Sequence, residues 1–275
     1  MSPEFVPAGH FYSVIPAAEQ VAKHRPPRPA LPEVIPGIEL HRERQWQLLQ
    51  QFQSLYHEWP NHKPETQGRY RPQNTAFAPS DAILLYAMMR TYQPQRIIEI
   101  GSGWSSGVMA DTNEQFFGHA IDLTFIEPYP ELLLSILKPD DPQRVTIIPS
   151  PVQEVPLAIF EQLEANDILF VDSTHVSKLD SDVNFLLFEV FPRLAKGVII
   201  HIHDVFFPFE YPYEWLSKGM FWNEQYILRA FLQFNETFQI LLFTSLMIRE
   251  HRAWVEAHMP ECLKEGGGLW LEKVQ

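Results

Sequence analysis

The chain has a single cysteine, Cys262, among 275 residues, so no disulfide can close within it and a cysteine-built zinc site is excluded. A reducing, cytoplasmic setting is the expectation. Positive charge is also scarce: 21 Lys and Arg face 34 Asp and Glu, for a formal charge of −13. Nucleic-acid affinity rests on clustered Lys and Arg, and with no such cluster a nucleic-acid partner is not expected. Long apolar runs are missing too; the longest candidates, such as Gly197 to Ile202, have the length of a strand and not of a membrane span. The opening residues, MSPEFVPAGH, lack the basic start and apolar run of a signal peptide, so no membrane partner is expected. There is no internal repeat and no low-complexity tract.

Half of the 24 prolines fall in the first 79 residues, where they deprive helices and sheets of donors. Met1 to Gly37 therefore reads as an extended arm. From Ile38 to Trp59, Leu40, Trp46, Leu49, Phe52, Leu55 and Tyr56 recur at helical spacing and predict one amphipathic helix. Pro60 to Pro79 is polar and turn-rich. Ser80-Asp81 then reads as the cap of a helix over Ala82 to Arg90, which Pro94 ends.

Arg96 to Val108, RIIEIGSGWSSGV, is the stretch around which the remainder is organised. Ile97, Ile98 and Ile100 suit a buried parallel strand, and Gly101 and Gly103 allow close backbone approach. Ser105 or Ser106 is read as the N-cap of a helix opening over Gly107 to Asp111. Apolar runs at Leu123–Ile126, Val145–Ile148, Asp167–Val171, Gly197–Ile202, Phe238–Phe243 and Leu269–Lys273 predict six further strands. Helical patterns lie between them at Glu131–Leu137, Asp182–Leu194, Asn223–Phe234 and Leu246–Met259. Alternation of this kind implies an α/β fold, a doubly wound and mostly parallel seven-stranded sheet with helices on both faces. The division expected is an N-terminal extension over 1–79 and the sheet domain over 80–275. Val205 to Phe221, aromatic and long for a connection, reads as a lid over the carboxyl edge of the sheet.

Four acids, Glu99, Glu127, Asp172 and Asp204, stand at or just before strand ends, where an open α/β sheet binds ligands. Glu99 is either a cofactor-side residue or a hydrogen-bonding brace for the glycine turn. Glu127 stands where a dinucleotide fold places its ribose-binding acid. His175, three residues beyond Asp172, has the chemistry to deprotonate a hydroxyl, or it is a loop histidine capping the next helix. Asp172 and Asp204 offer hard oxygen ligands suited to Mg²⁺. His201 and His203 share one face of their strand, the first read as a core residue and the second as a crevice-edge residue with no assigned role.

Glu99-Ile-Gly101-Ser-Gly103-Trp-Ser105 resembles motif I of the class I S-adenosylmethionine-dependent methyltransferases, with Ser105 where many members carry a third glycine. Val171-Asp-Ser-Thr-His175, Ser181-Asp-Val-Asn184, His201-Ile-His-Asp204 and Pro208-Phe-Glu-Tyr-Pro212 look like the small-molecule branch related to catechol and macrolide-sugar O-methyltransferases. The resemblance spans about Asn74 to Phe243. It implies a Rossmann-like fold and S-adenosylmethionine as cofactor, with Gly101, Gly103 and Ser105 against its methionine part. Glu127 would hold the ribose hydroxyls, and Val152 and Gln153 would flank the adenine. It further implies Asp172 beside the reacting centre, Mg²⁺ on Asp172 and Asp204, and His175 as base. Some relatives carry Asn directly after the strand-five acid, where this chain has Val205.

The function expected is O-methylation of a small hydroxylated molecule, a sugar or natural product, by base-assisted in-line transfer. Two alternatives stay open at this point. Glu127 would equally serve the ribose of a nicotinamide cofactor in an oxidoreductase, although Ser106 stands at the third glycine position of G-x-G-x-x-G. A binding protein that keeps the fold without catalysis is the other.

Overall fold

The computed structural model describes residues 5–26, 32–60, 68–264 and 266–275, so parts of the expected arm and of the 60–79 stretch lie outside the described residues. Seven strands form one sheet: β1 (Arg96–Ile100), β2 (Asp122–Ile126), β3 (Val145–Ile148), β4 (Ile168–Val171), β5 (Ile199–His203), β6 (Phe238–Phe243) and β7 (Gly268–Lys273). Their order is β3-β2-β1-β4-β5-β7-β6. The first five are parallel, and β7 enters antiparallel between β5 and β6. The apolar run of β4 and the near-continuous ones of β1 and β5 are buried on both faces, as central parallel strands must be. The strand order reverses between β1 and β4, so the crevice beyond their carboxyl ends is the expected ligand site.

Ahead of the sheet come α1 (Ala18–Ala22), a single turn inside the expected arm, and α2 (Arg42–Tyr56). The α2 helix packs on the later elements: Leu48, Leu49 and Phe52 are buried, and Gln45 donates to the Leu40 carbonyl while accepting from the Phe243 amide at 2.6 Å. The next helix, α3 (Pro79–Tyr92), is apolar all round over Ala82 to Met89, and it is buried all round. Ala78 is its N-cap and Pro79 its first residue, so Ser80 lies inside the first turn and does not cap it, contrary to the sequence expectation.

The remaining helices are α4 (Trp104–Phe117), α5 (Glu131–Ile136), α6 (Leu157–Phe160), α7 (Asp182–Phe185), α8 (Tyr213–Leu216), α9 (Glu224–Leu232), α10 (Thr244–Glu250) and α11 (Arg252–His258). Three depart from expectation. The start of α4 is Trp104 with Gly103 as N-cap, which puts Ser105 and Ser106 in its first turn. The pattern over 182–194 resolves into α7, a π-helical turn at Leu186–Val190 and a 3-10 turn at Phe191–Arg193, where Pro192 removes a donor. The final pattern breaks at His251 into α10 and α11, and the His251 ring stacks on Trp46 at 3.8 Å.

One buried ion cluster, invisible in the sequence pattern, locks the approach to α3 onto α4. The amide of Arg69 donates to Asp111, and its guanidinium, with a side chain 2% exposed, pairs with Asp111 at 2.8 Å, Glu114 at 2.7 Å and Asp141.

Candidate active site

The turn after β1 is built on a close approach. Gly101 has φ +80°, and a Cβ placed on it would stand 1.7 Å from the carbonyl oxygen of Asp172. Only glycine fits there. Gly103 is different: its φ of 175° is extended backbone, and a Cβ would meet only the Leu132 side chain at 3.2 Å. Beneath the turn, Glu99 is wholly buried and accepts from the hydroxyls of both Ser105 and Ser106. Burial pushes its carboxyl up to about 8 against the pull of those two donors. Glu99, Ser105 and Ser106 therefore brace the turn from below, which is one of the two readings the sequence leaves open for Glu99.

Above the turn lies a cavity of ≈ 450 Å³. Gly101, Glu127, Val152, Gln153 and Asp172 all line it. Glu127 follows β2, where its two carboxylate oxygens are anchored by the Ser102 amide at 3.1 Å and the Tyr129 amide at 2.8 Å. Val152 is buried, and Gln153 donates to the carbonyl of Asp180, another lining residue, at 2.8 Å. The ring of Tyr129, 77% exposed, is an aromatic neighbour that the sequence pattern did not single out.

At the Asp172 end four titratable groups meet. His175 and Asp204 both take left-handed backbone angles, φ 59° and 57°, at the turns that follow β4 and β5. His175 is buried; its Nδ1 lies 2.8 Å from Glu224 Oε2, and its Nε2 lies 3.5 Å from Asp172 Oδ1 and 3.6 Å from Asp204 Oδ2. Burial opposes charge on this ring, but Asp172 and Glu224 outweigh it and raise its pKa well above the usual histidine value. The protonated ring in turn helps His203 hold Asp172 below the ordinary carboxylate range despite burial. The loop is secured on both sides. Thr174 bonds to Asp182 through its amide at 2.8 Å and its hydroxyl at 2.6 Å, and the His175 carbonyl accepts from the amides of Asn223 and Glu224.

A second cavity, of ≈ 350 Å³, adjoins these groups on the lid side. Asn74, Asp81, His203, Asp204, Phe206 and Trp215 are among its walls. Asp81, buried in the first turn of α3, is pushed up to about 7 by that burial. His203 is buried with its Nε2 3.5 Å from Asp204 Oδ1. His201 is a core residue as expected, stacked on Phe170 at 4.2 Å, and its Nε2 lies 3.4 Å from His203 Nδ1.

Sequence reasoning thus named the Asp172, His175 and Asp204 that the fold brings together, and missed Glu224, Asp81 and the closeness of His203. Glu224 carried no distinguishing signal, since an acid in the first turn of a helix serves the helix dipole in any case. Asp81 was absorbed by its reading as a cap.

Residues 98–205, from β1 through β5, match a family model described as a methyltransferase domain. An uncharacterised protein of Archaeoglobus fulgidus is 36% identical over 171 residues, which cover 59% of this chain and 75% of that one. Among solved structures, the SAH-bound methyltransferase PaMTH1 of Podospora anserina is 16% identical with a TM-score of 0.45, covering 96% of this chain and 99% of its own. An SAH-bound O-methyltransferase of Bacillus cereus is 15% identical with a TM-score of 0.43, covering 85% and 91%. The matched residues hold the glycine turn, the acid after β2 and the acids after β4 and β5, and the stretch from β1 through β5 is a methyltransferase domain by that match.

Proposed function

We propose that the protein moves the methyl group of S-adenosylmethionine to a hydroxyl of a small hydroxylated molecule, a sugar or natural product. The observation that carries this reading is Glu127, its carboxylate fixed by two backbone amides on the wall of a cavity that runs from Val152 to Asp172. The fit to the cofactor is good on three counts. The volume is in the roughly 300–1,000 Å³ range of small-molecule sites, Gly101 lets a ligand approach the backbone closely, and Val152 offers an apolar wall for a base. When bound, the cofactor supplies the methyl group and its own leaving group.

The protein's part is to align and to deprotonate. The acceptor occupies the lid-side cavity, with its hydroxyl directed to the side where His203 and Asp204 stand. His175 takes the hydroxyl proton at Nε2, while Glu224 fixes the other ring nitrogen and so the tautomer. Flanked by Asp172, Asp204 and Glu224, the ring keeps its own proton until positive charge near Asp172 and Asp204 offsets them. A sulfonium in the neighbouring cavity or a cation on the two carboxylates has the required sign. Mg²⁺ fits the site poorly, because the third donor beside Asp172 and Asp204 is the imidazole of His203 and Mg²⁺ seeks oxygen. No step is therefore assigned to it.

Calorimetric titration with S-adenosylmethionine, S-adenosylhomocysteine and NADPH tests the reading. Micromolar-range binding of the sulfonium and its product, about −8 kcal/mol, is expected, with a tenfold or greater loss in Glu127→Ala. Binding of the nicotinamide cofactor alone would restore the oxidoreductase alternative, and no binding of any of the three would leave a protein that keeps the fold without the chemistry.

A further inference from the structure

We propose that Asp81 is a specificity residue of the lid-side cavity and that the acceptor carries a protonated amine, which this carboxylate binds while the acceptor's hydroxyl faces His203 and Asp204. The inference rests on the acceptor reading above and narrows it to amine-bearing alcohols. Asp81 is 6% exposed and lines the same cavity as His203 and Asp204. Its carboxyl is directed to their side, since the charges that act on it are those of His203, Asp204 and Asp172. Among the described residues, no side chain makes a hydrogen bond or ion pair with it. The Ala78 amide engages it at the start of α3, but a carboxylate offers about four acceptor sites. Capping therefore leaves both acceptors and charge unused.

The carboxyl is also held in place. Gly266 packs so closely against it that a Cβ there would stand 2.0 Å from Oδ2 and 2.3 Å from Oδ1, which limits its swing. Phe206 and Trp215 line the same cavity, edge to face at 5.2 Å, and aromatic faces attract cations. Charge decides between an amine and a further hydroxyl. Asp81, Asp204 and Glu214 line the cavity against two cationic groups, His203 and Lys264. His203 already faces Asp204, with Nε2 3.5 Å from Oδ1, and Lys264 is exposed. Burial pushes the Asp81 carboxyl up to about 7 despite the pull of His203, which marks a shortage of positive charge around it. A hydroxyl would satisfy one acceptor and leave the charge buried. An ammonium supplies three donors and the opposite sign.

The probes are small alcohols of one ring size: the isomeric aminocyclohexanols, with the diols and hydroxycarboxylates of the same ring. Full-length protein is titrated with each, with and without S-adenosylhomocysteine. At least one aminocyclohexanol should bind about tenfold or more tighter than its diol, and the hydroxycarboxylates should bind weakest. Asp81→Asn keeps the shape and removes the charge, so the amine should fall to within about threefold of the diol, with circular dichroism checking that the variant is folded. Should it not fold, the unaltered protein gives a second readout: the Trp215 indole N–H resonance should shift with the amine and not with the diol. Equal binding of the three classes, preference for the carboxylate, an amine preference that survives in folded Asp81→Asn, an indole that ignores the amine, or no binding at all would each overturn the proposal. Failure to bind S-adenosylhomocysteine would count against the cofactor reading alone, because the amine titrations are also run without it.

Discussion

Replacing Gly101 by alanine tests the architecture of the site more sharply than removing any charged group. The added Cβ would stand 1.7 Å from the Asp172 carbonyl oxygen, roughly 2 Å short of ordinary van der Waals contact. The obstacle is backbone, not a side chain that can swing aside. The left-handed φ of +80° adds about 1–2 kcal/mol of strain for a residue with a Cβ, and forcing a group into a packed region adds about 1–3 kcal/mol. The sum, about 2–5 kcal/mol, is a large share of the roughly 5–15 kcal/mol that holds a typical domain together. Gly103→Ala is the internal control, since its φ of 175° needs no glycine and its Cβ meets only the end of Leu132 at 3.2 Å. Urea unfolding followed by circular dichroism gives the stabilities, and titration with S-adenosylhomocysteine gives the function. Gly101→Ala should unfold at much lower urea and lose the ligand, whereas Gly103→Ala should lie within about 1 kcal/mol of the parent. Equal, small effects of the two substitutions would refute the reasoning, because the turn would then be yielding where the structure makes it tight.

Two further perturbations follow from the buried charges. Because the folded value of His175 is raised, its pairing with Glu224 and Asp172 contributes stability that is fully present below the unfolded value of about 6.5 and is lost as pH rises through the folded one. Glu224→Gln should lower the ring's titration, and with it the pH at which that stability is lost; an imidazole NMR titration near 6.5 in the unaltered protein would contradict this. Arg69→Met should cost about 3–5 kcal/mol, since it leaves Asp111 and Asp141 buried without their cation. That amounts to a melting temperature lower by roughly 10 °C, and a fall of only a degree or two would mean the carboxylates find water or protonate at little cost.

Elements set by short-range pattern were readable in the chain. Each of the seven strands is an apolar run bounded by turn residues, and each was located to within two residues. What local pattern cannot carry is the pairing partner. The antiparallel entry of β7 between β5 and β6 follows from where α10 and α11 return the chain, not from any residue of Leu269 to Lys273. Helix starts were read less well, and for a specific reason. Serine is a strong N-cap in isolation, but Ser105 and Ser106 are claimed by the buried carboxyl of Glu99, and Pro79 starts its helix ahead of Ser80. A tertiary partner outbid the local preference in the first case, and proline's fixed φ did so in the second.

The acids of the candidate site were legible because topology does the work: parallel strands deliver their last residues to one edge, so Glu127, Asp172 and Asp204 needed only correct strand ends to be brought there. His203 was harder, and the cause is a single backbone angle. In an extended strand successive side chains point to opposite faces, which correctly puts His201 and His203 together but would send Asp204 the other way. Asp204 instead adopts φ 57°, which ends the alternation and turns its carboxylate back beside His203, 3.5 Å from Nε2. His175, at φ 59°, turns likewise at the end of the neighbouring strand, and its ring meets both aspartates. Aspartate tolerates this region better than most residues, and histidine visits it more often than chance. Two such turns on adjacent strands therefore gather donors that strand periodicity alone would have scattered over both faces of the sheet.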